Sequence, residues 1–334
     1  MFQLPEGLVI VSSVLDRPHW TDNPVSGLPG EIGHGLTGIP VYVILQAQKF
    51  PSGRRSCTLD RTYSTPRGIS EKNRGLLTTL HRGSTGPFTP REATGILKLN
   101  AGRTRRFLAY LADAGWLVRI RRGLYATVPL DVAEPGAWRE DPWIIAAKVF
   151  SPFYIGGWSA CEHWGLTDQI FKETVVVSAK TVRRRRMEIN GVSFYVKAVG
   201  KDKVFGTEAV WRSRTRVSVS DPARTVVDIL DDPTIGGGIR HVADVLEAYL
   251  SHERRNDKLL LEYANRLGNR SVFKRLGYLL ESRRVNDTSL IASCLGSMSS
   301  GISLLDPSAP KKGRFLRRWN LRINVALDPG EARA

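Results

Sequence analysis

Apolar residues recur at helical spacing three times between Glu71 and Ala114, and then at alternate positions as far as Val128. From about Glu71 to His81, Leu76, Leu77 and Leu80 share one helix face, and Gly83, Gly86 and Pro87 end it. Thr89-Pro90-Arg91-Glu92 opens a second helix: Thr89 suits the N-cap, Pro90 the first helical position, and Glu92 completes a capping box. Its apolar face is Ala93, Ile96 and Leu97, and Leu99-Asn100 turns tightly into a third helix from about Ala101 to Ala114. Thr104, Phe107, Leu108 and Leu111 point inward on that helix, Arg103, Arg106 and Tyr110 point outward, and Gly115 is the left-handed stop. Trp116 to Ile120 then alternates as a half-buried strand does, and Leu124 to Val128 returns across an Arg121-Arg122-Gly123 turn.

Three helices and a hairpin in this order predict a winged helix-turn-helix over residues 71–128. Charge sharpens the expectation. The segment holds 11 basic and three acidic residues, and the whole chain carries +17. A positive field of this kind suits a polyanion. Arg103, Thr104, Arg105, Arg106 and Tyr110 on the third helix are the candidates for reading base edges, with Arg119, Arg121 and Arg122 on the wing along the phosphates. The bland alternative is a dimerisation or protein-binding module whose arginines are merely solvated. DNA is favoured over RNA because neither an aromatic RNP strand nor a GXXG loop is evident.

The flanking sequence reads differently. Residues 1–70 contain seven prolines, many glycines and a net charge of only +1, and are expected to be a poorly structured extension, from a start codon set too far upstream, or else a short accessory subdomain. Residues 129–142 read as a Pro/Gly-bearing linker, 143–327 as an α/β domain and 328–334 as a tail. In that domain helices are expected over 142–149, near 159–164, and over 222–230, 239–250, 258–267 and 271–282. Strands are expected at 174–178, 187–189, 192–199, 216–220 and 319–326, with Asn190-Gly191 as a hairpin turn. The fold class is therefore α+β, a winged helix followed by a mixed α/β domain.

Composition narrows the chemistry. Length predicts about two domains. Cys57, Cys161 and Cys294 are scattered and lack CxxC spacing, which argues against disulfides and zinc. No apolar run reaches the roughly 20 residues that span a bilayer, and no signal peptide is evident, so a cytoplasmic protein without membrane contact is expected. No cofactor is implied. Asp221 and Asp228, seven residues apart, could hold a metal, but the surrounding residues equally well cap and solvate a helix. His163 reads as a core or surface histidine rather than a base. With no P-loop, GxSxG or HExxH motif, no enzyme is expected. Arg183, Arg184, Arg185 and Arg186, with Arg317 and Arg318, are either solvated or a second basic patch for phosphates or an acidic partner.

Four segments carry a resemblance. They are Gly-Trp-Leu-Val-Arg-Ile-Arg-Arg-Gly-Leu-Tyr from Gly115, Tyr154-Ile155-Gly156-Gly157-Trp158-Ser159-Ala160 with His163-Trp164-Gly165-Leu166-Thr167, and Ser220-Asp221-Pro222-Ala223-Arg224-Thr225-Val226-Val227-Asp228. In this order they resemble the AbiEi antitoxins of type IV toxin–antitoxin and abortive-infection systems, over roughly residues 71–327. The resemblance implies a regulator that binds repeats in its own promoter and represses an antitoxin–toxin operon. It also implies a C-terminal domain that counteracts a nucleotidyltransferase-type toxin, direct contact not being required. The long segment before Glu71 departs from the pattern. The alternatives are an orphan winged-helix regulator and, behind it, a DNA-processing enzyme.

Overall fold

A computed structural model describes residues 68–129, 132 and 137–327; the expected extension before Gly68 and the tail from residue 328 lie outside the described residues. The chain is mixed α/β. Helices α1 (Glu71–Gly83), α2 (Pro90–Leu97) and α3 (Ala101–Asp113) come first, followed by an antiparallel hairpin of β1 (Leu117–Arg121) and β2 (Leu124–Thr127). Local chemistry sets each boundary. Thr89 and Glu92 form the reciprocal capping box of α2, the Asn100 side chain accepts from the Arg103 N–H, and Gly115 takes φ +83° where α3 stops. Leu77, Leu80, Ala93, Leu97, Phe107, Leu108, Leu111 and Leu117 form the core of this unit.

Beyond the hairpin, α4 (Pro142–Val149) leads into β3 (Phe153–Ile155), α5 (Gly157–His163), β4 (Thr174–Ser178), β5 (Arg186–Ile189), β6 (Val192–Ala198), β7 (Thr207–Arg212) and β8 (Thr215–Ser220). These strands form one mixed sheet in the order β5-β6-β4-β3-β8-β7. Five helices follow: α6 (Pro222–Asp231), α7 (Ile239–Leu250), α8 (Asp257–Leu267), α9 (Ser271–Ser282) and α10 (Thr288–Ser297). A small sheet of β9 (Ser303–Leu304), β10 (Arg314–Leu316) and β11 (Leu321–Ile323) closes the described chain, in the order β10-β11-β9. β4, Thr-Val-Val-Val-Ser, is buried at every position, as a central strand covered on both faces must be.

The hairpin does more than follow α3. Its inward row, Ile120, Leu124 and Ala126, is part of the same buried cluster as Trp143, Ile145 and Val149 of α4 and Val176, Val196, Val217 and Val219 of the large sheet. Polar contacts reinforce the seam. Arg214, in the turn between β7 and β8, donates to the carbonyls of His81 and Arg82 at the end of α1, and the Thr215 hydroxyl donates to Thr85 O. Glu92, the capping residue of α2, is paired with Lys148 of α4. A cleft of about 440 Å³ lies here, between Gly83–Phe88, α2 and Lys148.

Several elements lie where the sequence pattern shows nothing. β7 was not expected, because its turn Ser213-Arg214 lacks the usual Asn-Gly signature and puts Ser213 at φ +50° instead. α10 and the two-residue β9 were also missed. The strand expected from Trp319 shrinks to Leu321–Ile323, because Trp319 ends a short 3-10 turn and lies fully buried against α9.

Candidate nucleic-acid interface

Burial sorts the residues of α3 into two sets. Thr104, Phe107, Leu108 and Leu111 are buried; Arg103, Arg105, Arg106 and Tyr110 are exposed, Tyr110 to 41 %. Thr104, read from the sequence as both an inward position and a DNA contact, keeps only the first role. It is fully buried and its hydroxyl donates to Asn100 O, so it holds the first turn of α3 and offers nothing to a ligand. Tyr110 combines an open ring with a hydroxyl, a residue type suited to backbone contact.

On the hairpin Arg119, Arg121 and Arg122 are all exposed, and Gly123 turns the chain at φ +75°. The register between β1 and β2 shifts between Arg119 and Arg121, which leaves Ile120 as the extra residue, buried between two outward arginines. α3 packs against β1, so both sets of arginines sit on contiguous elements. Among the described residues none of these six arginines has an acidic partner. Their charge is therefore uncompensated locally, as a phosphate-binding surface requires.

The second basic group behaves differently. Arg183, Arg184 and Arg185 are exposed in the loop before β5, but Arg186 donates to Glu173 at 3.1 Å and lies over the Tyr195 ring. Arg317 is exposed, whereas Arg318 donates to Glu281 at 2.7 Å. The first run leads into β5 of the six-stranded sheet and the second lies in the 3-10 turn before β11, each with one arginine engaged internally.

The paired carboxylates of α6 have structural partners. Asp221 is the N-cap: it accepts from the Arg224 N–H at 2.8 Å and from the Tyr263 hydroxyl at 2.9 Å. Asp228 is buried and pairs with Arg224 at 3.0 Å, while the Tyr154 hydroxyl donates to it at 2.9 Å. Arg224 is fully buried, donates to Tyr154 and to Lys203 O, and stacks on the Phe205 ring at 4.0 Å. Burial raises the Asp228 carboxyl, and Arg224, Lys197 and the Tyr154 hydroxyl pull it back. Burial lowers Arg224, but Asp228 and Tyr154 together outweigh it and hold the guanidinium above its ordinary value. The motif Ser-Asp-Pro-Ala-Arg-Thr-Val-Val-Asp thus locks α6 to β3 (Tyr154) and α8 (Tyr263). His163 is half-buried, edge-on to Trp143 and Trp164, and burial lowers its pKa. Cys161 and Cys294 are free thiols in the core, both raised by burial. Among the described residues no three His, Cys, Asp or Glu side chains are grouped to hold a metal, and no helix is long and apolar enough to cross a membrane.

The geometry meets an independent finding here. Residues 74–128 match the family of transcriptional regulators described as AbiEi antitoxins. The match covers this segment and not the rest of the chain. The matched segment runs from within α1 through the hairpin and includes the six arginines above. The fold of the chain is similar to the crystal structure of the RV2827C protein from Mycobacterium tuberculosis, with a TM-score of 0.55 and 18 % identity over 78 % of this chain and 94 % of that one. No curated protein matches the chain.

Proposed function

We propose that the chain is a DNA-binding autorepressor and antitoxin of a type IV toxin–antitoxin system, with residues 71–128 as a winged helix-turn-helix. The observation that carries this reading is the uncompensated arginine surface of α3 and the hairpin, on a segment of the AbiEi regulator family. Arg103, Arg105 and Arg106, with Tyr110, face the major groove; Arg119, Arg121 and Arg122 neutralise phosphates beside it. The DNA is the chain's own promoter repeats. The α/β domain, residues 143–327, counteracts a nucleotidyltransferase-type toxin, and the protein acts in the cytoplasm without a cofactor or a catalytic role.

Gel-shift titration of the promoter fragment at two salt concentrations tests the reading. Replacing Arg121 or Arg122 by Ala should weaken binding to every sequence and lower the salt slope by about one. Replacing Arg103 or Arg106 should cost on the order of 1–3 kcal/mol and relax specificity. Unchanged affinity in an Arg103/Arg106/Arg121 triple alanine variant would sink the reading. A regulator with no antitoxin activity is the second reading, favoured because the family match ends at residue 128. A neighbouring gene for a nucleotidyltransferase-like protein, whose toxicity this chain relieves, separates the two.

A further inference from the structure

The two edges of the six-stranded sheet are treated differently. At the β5 edge the exposed side chains are charged, Arg186 and Glu188, and Arg183–Arg185 precede them. Charges of this kind resist pairing with another strand. The β7 edge has β8 on one side and, among the described residues, no strand on the other. Its exposed row is Thr207, Ala209 and Trp211, with no charge, and Trp211 is 69 % exposed. An indole in the open on an unguarded edge marks an interaction surface.

We propose that β7 pairs antiparallel with β7 of a second copy of this chain, about a twofold axis through Val210. Side chains directly opposed across a strand pair lie on the same face, so the axis of a self-pairing strand passes midway between the two copies of one residue, here Val210. Centring it on Ala209 would set Glu208 against Val210, and centring it on Trp211 would set Arg212 against Val210. Only the Val210 axis opposes Glu208 to Arg212 and Ala209 to Trp211, each twice by symmetry. Each indole then covers an alanine whose partner on β8 is the small Ser218. Arg212 supplies the independent reason. Its guanidinium lies over the Trp143 ring at 4.1 Å, it has no carboxylate in ion-pair range among the described residues, and its Nε is buried without an acceptor. Glu208 of the second copy brings a carboxylate to this end of the strand while remaining beside Arg254 of its own chain.

Such a contact is isologous and closed. The six residues of β7 span about 20 Å. Arg214, just past their end, holds the end of α1. The twofold axis therefore sets the two three-helix units toward opposite ends of the paired strands. The pairing itself does not depend on the DNA reading.

Sedimentation of the full chain from low to high micromolar concentration, with hydrogen exchange at both ends of that range, tests the proposal. The expected result is a reversible dimer whose Thr207–Arg212 amides gain protection with concentration while those of Arg186–Ile189 do not. Ala209→Glu, at an exposed position, should raise the dimer dissociation constant by roughly tenfold or more and leave the melting of the dilute monomer unchanged. A chain that stays monomeric overturns the proposal, including one whose Trp211 responds only to DNA. So does a dimer protected elsewhere, or one indifferent to Ala209→Glu.

Discussion

Arg224 and Asp228 show what a buried pair demands of its neighbours. Each is nearly inaccessible; they pair with each other at 3.0 Å, and the Tyr154 hydroxyl hydrogen-bonds to both. Asp228→Asn leaves the guanidinium without a counter-charge in the core, which should cost about 3–5 kcal/mol in urea unfolding; an apolar replacement of both partners should recover much of it. Glu92 makes a second prediction at this scale. Burial alone would raise its pKa, but hydrogen bonds from Lys148 and Thr89 outweigh that and hold it below its ordinary 4.5. A carboxylate lowered on folding stabilises above the unfolded value and loses that contribution as pH falls through the folded one. Stability measured for the parent and for Glu92→Gln should therefore differ at neutral pH and converge well below pH 4.5. A difference that persists in acid would show that the charge is not what matters.

Among the elements, the contact between α9 and the 3-10 turn before β11 leaves no room for a side chain at Gly277. A Cβ on Gly277 would meet the Trp319 indole at 2.0 Å, so the helix can approach only because that position is bare. Trp319 is fully buried there, with its Nε1 donating to Glu281 at 2.6 Å. Gly277→Ala should cost about 1–3 kcal/mol by overpacking, despite the better helix propensity of alanine. Unchanged thermal unfolding with unchanged tryptophan emission would refute this packing. The same contact explains why the strand expected from Trp319 starts later: the indole turns into the helical layer rather than alternating along a strand.

For the whole molecule, the decisive feature is the core shared between the hairpin and the sheet. Cutting within residues 129–142 leaves Trp143, Ile145 and Val217 without Ile120 and Leu124, which lie in the same buried cluster. Two such side chains correspond to on the order of 3–6 kcal/mol of lost burial. A fragment starting at Trp143 should therefore melt well below the full chain. Toxin-rescue assays with that fragment are interpretable only beside its melting curve. If it melts like the parent, the hairpin contributes nothing to the sheet, and the two halves are independent.

Contacts within a few residues set the local elements of the arginine surface. Thr89, Asn100 and Gly115 act through hydrogen bonds and backbone freedom within a few residues, so the limits of α2 and α3 were legible, as was the outward side of α3. The Asn190-Gly191 hairpin was legible for the same reason. Long-range pairing was not. Thr207–Arg212 becomes a strand because β8 pairs with it, and Asp221 and Asp228 become a cap and a buried ion pair because Tyr263 and Tyr154 arrive from distant elements. The inward row of the hairpin was visible as alternation, but not what it faces. That choice belongs to tertiary packing, because a hydrophobic face records that it must be buried and not against which partner.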